Sequence, residues 1–142
     1  MLAEVPGSGG CLDVGFVAYS PSGKAGFLGV PQETMDRFGL TSEEVSREMS
    51  EGTLAQEACA ADIAVANTGA ADRSRSGGPP AGIQCFAQSF RGYHGKVVTV
   101  SETKRFSGER SENRYTAALY ALSRIPQLFN SLSVVRRSQE RR

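Results

Sequence analysis

The chain has 142 residues, an apolar fraction of 39%, 16 glycines and a formal net charge of +1. This length suits one domain with a real hydrophobic core and is too short for two. A net charge near zero gives no nucleic-acid signature over the whole chain. The sequence contains no run of about 18 apolar residues, which is the length that would be needed to cross a membrane.

The first part of the chain predicts one strand and two short helices. Residues 14–18 form a short apolar run between segments rich in glycine, proline and serine, which is typical of a buried strand. Residues 24–28 predict one or two helical turns that end at Gly29. Pro31 is suited to the first position of a second short helix, which should end at Gly39.

A third helix is predicted to begin at the capping-box segment 41–44, Thr-Ser-Glu-Glu. In this motif a hydroxyl and a carboxylate can satisfy each other's free backbone N–H groups. We expect the helix to run to about Cys59. The residues predicted for its buried face are Val45, Met49, Gly52 and Cys59.

Three further strands are predicted in the second half of the chain. Residues 63–66 are small and apolar without alternation, as expected of a strand that helices cover on both faces. A polar loop over residues 69–80 leads to two strands at 83–90 and 96–105. Because the intervening residues 91–95 have the length of a hairpin turn, this pair should be antiparallel.

The last predicted helix begins near Gly108 and presents an apolar face at helical spacing. The residues of this face are Tyr115, Ala118, Leu119 and Leu122. Pro126 should end or kink the helix. We expect residues 133–142 to form a basic, disordered tail behind a domain of residues 1–132.

The order strand, helices, strand, hairpin, helix indicates an α/β domain, in which a mixed sheet lies between helices in three α/β/α layers. The chain opens with residues typical of a helix end and then enters a loop. Since a layered fold normally needs more chain before its first central strand, we expect the domain to lack its first strand and helix. The open sheet edge would invite pairing with another copy, so a homo-oligomer is a possible assembly.

The three cysteines, Cys11, Cys59 and Cys85, lie far apart and without CxxC spacing. This distribution argues against a zinc site or a disulfide framework and for reduced thiols. No basic region followed by an apolar block is visible at the N-terminus. We therefore expect a cytoplasmic protein that binds neither metal nor membrane, and we expect no nucleic-acid partner.

Several short segments agree in order and spacing with one known family. They are residues 5–8 (Val-Pro-Gly-Ser), 15–20 (Gly-Phe-Val-Ala-Tyr-Ser) with Lys24, 28–30 (Leu-Gly-Val), 39–45 with Glu48, Met49 and Gly52, 80–82 (Pro-Ala-Gly) and 105–110 (Arg-Phe-Ser-Gly-Glu-Arg). Together they resemble the C-terminal domain of the competence/damage-inducible protein CinA. This family is that of the nicotinamide-nucleotide amidases, and the resemblance covers residues 5 to about 122.

The resemblance implies hydrolysis of the carboxamide of nicotinamide mononucleotide, which gives nicotinate mononucleotide and ammonia in the recycling of NAD. The family is described as serine amidases that use a lysine as base and no cofactor. Its Tyr-Ser-x-x-x-Lys segment falls on residues 19–24, so the resemblance assigns Tyr19 and Lys24 to the catalytic site. The residues that it implies on the substrate side are Ser8, Thr68, Gly69 and Arg110.

A lysine can act as the base for a serine only if burial or a nearby cation lowers its pKa toward neutrality. Apart from the resemblance, Lys24 would ordinarily be a solvated surface lysine and Tyr19 a core or rim aromatic. Arg110 would serve equally well as a surface arginine at the start of a helix. The assignment of these residues therefore depends on the family.

The sequence departs from the family at the nucleophile. The family's Glu-Ser-Cys-Thr-Gly-Gly motif is absent and by spacing would precede Met1, and Gly9 stands where a second serine is expected after Ser8. We therefore expect the chain to be inactive by itself. Three interpretations stay open: a truncated or mis-started amidase, a degenerate paralogue kept for nucleotide binding or interaction, and a hydrolase that recruits another serine such as Ser20 or Ser22.

Overall fold

A three-stranded antiparallel sheet lies between two helical layers in the computed structural model, which describes residues 2–70, 78–92 and 95–139. The helices are α1 (Pro21–Leu28), α2 (Gln32–Phe38), α3 (Glu43–Leu54) and α4 (Arg110–Gln139), and the strands are β1 (Ile63–Gly69), β2 (Ile83–Arg91) and β3 (Val97–Arg105). Short 3-10 turns occur at Leu2–Glu4 and Ser8–Gly10. The predicted α/β class is confirmed.

The sheet has the order β1-β2-β3, and Ala87 at its centre pairs with Ala66 on one side and with Ser101 on the other. The β2–β3 hairpin is antiparallel as predicted; its tip at residues 93 and 94 lies outside the described residues, as do residues 71–77 of the predicted polar loop. The predicted mixed sheet is not found, since every strand pair of the described residues is antiparallel.

The strand predicted at residues 14–18 is also not formed. These residues carry no regular structure, and Val17 is 93% exposed. A strand depends on backbone hydrogen bonds from a neighbour, and in the described part of the chain the segment is instead held by single contacts. The Asp13 carboxylate accepts from the Ala60 N–H at 2.9 Å, and Ala18 packs against the core between α1 and α3.

The two short helices end at the predicted glycines, but they do not begin where the sequence predicts. The Ser20 hydroxyl caps α1 by accepting from the Gly23 N–H, so α1 begins three residues before the predicted start. Gly29 ends α1 in the left-handed conformation at φ 68°. Pro31 is the N-cap of α2 rather than its first residue, and Gly39 ends α2 as predicted.

Helix α3 begins as predicted but ends at Leu54, five residues before Cys59. The Ser42 hydroxyl accepts from the Val45 N–H at its start. At its end, the side-chain amide of Gln56 donates to the Gly52 carbonyl at 3.2 Å and replaces a backbone donor there. Of the predicted face, Val45 and Met49 are buried, while Cys59 lies half-buried beyond the helix.

Helix α3 and the sheet meet through hydroxyl groups as well as apolar side chains. The Ser46 hydroxyl lies within hydrogen-bond distance of the carbonyls of Ala66 and Cys85, at 3.3 and 3.2 Å. The hydroxyls of Ser50 and Ser89 are 2.7 Å apart, and all three serines are fully buried. Since serine is small, the helix lies close to the strands. The apolar core of this layer consists of Leu28, Val30, Met35, Val45, Met49 and Ala66.

Helix α4 covers the opposite face of the sheet with small residues. Ala117 and Ala121 pack against Phe86, and the Glu102 carboxylate accepts from the Tyr120 hydroxyl and the Arg124 guanidinium at 2.9 and 2.8 Å. Burial raises the pKa of Glu102, but these two hydrogen bonds and the positive charges of Arg124 and Lys104 together hold the pKa below its usual value. The helix is therefore fastened to β3 by a charged contact.

The face predicted for α4 was wrong. Tyr115 and Leu119 are exposed, and the residues against the sheet are instead Asn113, Ala117 and Ala121. The ring of Tyr120, from α4 itself, packs against Phe86 of β2 and Phe106 of the β3–α4 connection. Beside these rings the helix contacts the sheet through the small residues Ala117 and Ala121.

Helix α4 also extends further than predicted. It continues through Pro126, which was predicted to end or kink it, and it reaches Gln139. An interior proline removes one backbone donor and crowds the carbonyl of the preceding turn, and α4 nevertheless continues on both sides of Pro126. Residues 133–139, predicted as part of a disordered tail, belong to this helix, while residues 140–142 lie outside the described chain.

The outer edge of β1 has no strand beside it in the described residues, because β1 pairs only with β2. The sequence of β1, Ile-Ala-Val-Ala-Asn-Thr-Gly, contains neither a charge nor a proline that would discourage pairing with another chain. Oligomerisation through this edge stays a prediction.

The contact between α1 and α3 can be tested at Gly52. A Cβ at this position would lie 1.8 Å from the carbonyl oxygen of Leu28, which is backbone and cannot move aside alone. We expect Gly52→Ala to lower the free energy of unfolding in urea by about 2 kcal/mol or more. The control is Gly26→Ala on the exposed side of α1, where a Cβ would meet nothing within 4 Å. This control should be neutral or gain about 0.5–1 kcal/mol, and equal losses in the two variants would contradict the close approach.

Candidate functional site

The amine of Lys24 is buried in the core between α1 and α3. The residue is 5% exposed, and its Nζ donates to the Met49 sulfur at 3.3 Å. No carboxylate of the described residues forms an ion pair with Lys24. Burial lowers the pKa of Lys24 from its ordinary value. Burying a lysine in a core without a paired anion lowers the free energy of unfolding, and such residues are typical of functional sites.

Helix α1 places Lys24 on the side that faces the core. Residues four apart lie on the same face of a helix, and Lys24 and Leu28 are the two buried residues of α1. The helix starts one turn earlier, where the Lys24 N–H donates to the Ser20 carbonyl. Gly29 then turns the chain so that Val30 returns to the same core. The cap and the stop of α1 thus determine where the amine lies.

Tyr19 and the two nearby serines form no hydrogen bond with the Lys24 amine. Tyr19 is 85% exposed. The Ser20 hydroxyl accepts from the Gly23 N–H, and it lies 3.0 Å from the hydroxyl of Ser22. Both serines are exposed at the start of α1, and the role of Ser20 there is that of a helix cap. The structure therefore gives neither hydroxyl a hydrogen bond to a base.

Thr68 and Gly69 end β1. The Thr68 hydroxyl donates to the Leu40 carbonyl at 2.8 Å and is largely buried. Gly69 faces the α4 side of the sheet, where a Cβ would lie 2.2 Å from the side-chain oxygen of Gln84. That oxygen accepts from the Asn67 amide at 3.0 Å. A side chain at position 69 would therefore require the Gln84 amide to move from its hydrogen bond with Asn67.

Sequence reasoning missed Gln84, which is buried beside Gly69. A signal was available, because Gln84 and Gln88 are polar residues at an even spacing within a strand and so share one face. Gln88 is fully buried, and its amide donates to the Ala121 carbonyl while its oxygen has no partner in the described residues. The α4 face of β2 thus carries two buried amides that an apolar strand would not contain.

Arg110 is exposed at the first position of α4, beside an open cleft. The cleft lies between the β3–α4 connection, residues 105–108, and the first two turns of α4. Here the Glu112 carboxylate accepts from the Glu109 N–H at 3.0 Å, and the Asn113 amide donates to the Gly108 carbonyl at 2.8 Å. The N-terminal turn of α4 is thus built by its own capping residues.

The structure brings part of the predicted site to one end of the sheet. By strand register Gly69 lies opposite Gln84, which lies opposite Lys104, and β3 then leads into α4. Thr68, Gly69 and Arg110 therefore share this end. Lys24 forms no hydrogen bond with these residues or with Ser8 or Tyr19; Ser8 lies in the N-terminal 3-10 turn, where its carbonyl accepts from the backbone of residues 11 and 12.

The described residues contain no group of three or more His, Cys, Asp or Glu side chains arranged to hold a metal ion. None of their helices is both long enough and apolar enough to span a bilayer.

Comparison with known proteins gives one consistent family. The CinA C-terminal domain family matches residues 1–129. The nicotinamide-nucleotide amidohydrolase PncC of Enterobacter agglomerans is 37% identical over 122 residues, which are 85% of this chain and 71% of that protein. A CinA-like protein of Chlorobium limicola is 38% identical over 114 residues, which are 80% of this chain and 26% of that protein.

The solved structures agree with this result. The competence damage-inducible protein A (ComA) of Klebsiella pneumoniae superposes with a TM-score of 0.80 at 32% identity, over 89% of this chain and 74% of that one. The protein CihA of Agrobacterium tumefaciens superposes with a TM-score of 0.76 at 32% identity, over 89% and 74%. The chain spans about 26–30% of the length of the CinA-type curated relatives that it matches.

The cost of burying Lys24 can be measured by replacing the amine with an apolar group of similar size. We expect Lys24→Met to raise the free energy of unfolding by about 1 kcal/mol at neutral pH. Because the pKa of Lys24 is lowered in the folded state, the folded chain binds its proton less well than the unfolded chain. The penalty is therefore complete below the lowered pKa and disappears as the pH rises toward the ordinary value of 10.5.

Urea unfolding of both proteins at several pH values checks this, and the gain should shrink with increasing pH. The control is Lys96→Met, which removes an exposed lysine and should change little. A loss of stability in Lys24→Met at neutral pH would show that the buried ammonium has a compensating partner.

Proposed function

Because the chain belongs to the CinA C-terminal domain family, we propose that it carries the general-base part of a nicotinamide-nucleotide amidase site, with Lys24 as the base. The observation that supports this most is the burial of the Lys24 amine beside a neutral thioether rather than a carboxylate. Burial favours the neutral amine, which is the form that can accept a proton. One of the curated relatives, at 37% identity, is named as the nicotinamide-nucleotide amidohydrolase PncC.

In the proposed reaction a serine hydroxyl attacks the carboxamide carbon of nicotinamide mononucleotide while Lys24 takes the hydroxyl proton. The resulting ammonium returns this proton to the leaving nitrogen, which departs as ammonia. Water then attacks the acyl-serine while Lys24 accepts a proton from the water. Lys24 returns this proton to the serine oxygen as the acyl–oxygen bond breaks, so that nicotinate mononucleotide is released and the serine hydroxyl and neutral amine are restored. The role of Lys24 is the same in both halves of the reaction.

The substrate side is proposed to lie at the sheet end shared by Thr68, Gly69 and Arg110. A guanidinium at the N-terminus of α4 suits a phosphate, because the helix dipole and the charge act in the same direction. Tyr19 is proposed at the rim of the site, in keeping with its exposure, and Ser8 beside it. The family's Glu-Ser-Cys-Thr-Gly-Gly motif does not occur in the 142 residues, so we propose that the chain by itself does not turn over substrate.

The role of Lys24 is tested by measuring ammonia release from nicotinamide mononucleotide with a coupled dehydrogenase assay. The chain alone should give only background. With a family segment that contains the Glu-Ser-Cys-Thr-Gly-Gly motif fused ahead of Met1, turnover should appear, and Lys24→Ala should lower it by roughly 10²–10⁴-fold.

The matched control in the fused protein is Lys96→Ala, which should retain full turnover. Unchanged turnover in Lys24→Ala would mean that the base lies elsewhere. Turnover by the chain alone, at a rate within a few-fold of an intact relative, would mean that it has its own nucleophile. In that case Ser20→Ala and Ser22→Ala would show which hydroxyl it uses.

A second candidate function is nucleotide binding without catalysis. It is favoured by the placement of Thr68, Gly69 and Arg110 at one end of the sheet, while no hydroxyl of the described residues contacts the Lys24 amine. Nucleotide binding requires only the placement of Thr68, Gly69 and Arg110, and it would be retained in a chain that has no nucleophile.

Calorimetry with nicotinamide mononucleotide tests this second function. We expect weak binding, and a decrease in affinity of about tenfold or more in Arg110→Ala, since a charge-assisted hydrogen bond to phosphate contributes about 1.5–3 kcal/mol. The matched control is Arg114→Ala, which removes an exposed arginine one turn later in the same helix. No heat of binding at millimolar nucleotide, or equal losses in the two variants, would exclude binding through Arg110.

A further inference from the structure

The hydrogen bond between Lys24 and Met49 joins two elements that are distant in the sequence. The residues are 25 positions apart, on α1 and α3, and the Nζ–Sδ distance is 3.3 Å. Met49 is 8% exposed and Lys24 5%. A thioether is a weak, uncharged acceptor, which is an unusual partner for a buried amine when carboxylates and carbonyls bind ammonium groups more strongly.

We propose that Met49 is a positioning residue for Lys24. The Met49 sulfur sets the direction of the Lys24 amine and keeps water and carboxylates away from it. The proposal rests on the proposed role of Lys24 as base. A carboxylate at this place would hold the amine as a charged ammonium, and a small side chain would admit water. A thioether orients the N–H bonds without doing either.

Among the described residues, none of the charged groups on the elements around Lys24 forms a hydrogen bond with its amine. Asp13 is bonded to the backbone of Ala60, and Arg47 is bonded to β3. Glu48 accepts from the Thr34 hydroxyl in α2 through one carboxylate oxygen, and its other oxygen is buried without a hydrogen-bond partner in the described residues. The others on the preceding segment, α2 and α3 are Tyr19, Glu33, Asp36, Arg37, Glu43, Glu44 and Glu51. Strand β1 carries no charged residue, and burial is the one cause of the lowered pKa of Lys24.

Met35 provides the internal comparison. It is buried in the same apolar cluster as Met49, yet it makes no hydrogen bond to Lys24. A general effect of core packing on the amine would be produced by either methionine. An effect of the sulfur as an acceptor would be produced by Met49 alone.

The direction in which the pKa of Lys24 should change follows from the hydrogen-bond acceptor at position 49. Met49→Leu keeps the volume and removes the sulfur, so the ammonium loses its partner and the pKa of Lys24 should fall further. Met49→Gln adds a stronger carbonyl acceptor, so the pKa should rise. A net hydrogen bond of about 1 kcal/mol corresponds to a shift of about 0.7 pH units in either direction.

The titration can be observed directly, because the chain contains only three lysines, Lys24, Lys96 and Lys104. With [13Cε]-lysine in the full chain, each amine gives its own NMR signal, and Lys24→Arg identifies the signal of Lys24. We expect the Lys24 midpoint to lie below those of the other two lysines, to fall in Met49→Leu, and to stay within about 0.2 pH units in Met35→Leu. An unchanged midpoint in Met49→Leu, or an equal shift in Met35→Leu, would overturn the proposal.

A measurement on the unmutated chain covers the case in which a Met49 variant fails to fold. With [13Cε]-methionine, the Met49 methyl signal should move with the same midpoint as Lys24, and the Met35 signal should move less than half as far. Equal movement of the two signals would again overturn the proposal. Neither measurement needs catalysis, so a correct titration with no Lys24-dependent ammonia release would refute the proposed base while leaving the contact established.

Discussion

The close approach of α1 to α3 is the contact on which the helical layer on the α3 face of the sheet depends. Gly52 lies against the Leu28 carbonyl, where any side chain would collide with backbone. At this separation Lys24 reaches the sulfur of Met49, and Leu28 and Val30 complete the core between the helices. A wider separation would leave the amine in water, where it would be an ordinary charged lysine.

The two faces of the sheet are built by different means. On the α3 face, buried serines bond to the strands, and Glu43 accepts from Ser101 and Thr103 of β3 at 2.8 Å. On the α4 face, aromatic rings and the Glu102 contact hold the long helix. Hydrogen bonds depend strongly on direction, whereas apolar contacts tolerate sliding, so α3 is held in one register against β2 and β3. That register also determines the position of Met49.

A buried lysine lowers stability, and its retention in a core is typical of residues kept for activity. Residues 14–17 are exposed, and Ala18 packs against the same core cluster as Met49. The proposed chemistry of Lys24 would therefore take place close to an exposed segment of the chain.

Local signals in the sequence were sufficient for the helix caps, the hairpin and the α/β class, because a cap such as Ser42 or a stop such as Gly29 acts on its immediate neighbours. The family motif around Lys24 also led to its proposal as the base, but the motif did not predict what surrounds the amine. The tertiary structure decided what depends on partners distant in the chain. Residues 14–18 have the composition of a strand and no neighbour to pair with, and the face of α4 is selected by rings from β2 and the β3–α4 connection. Burial of Lys24 against Met49 likewise depends on the packing of two helices, which no local pattern specifies.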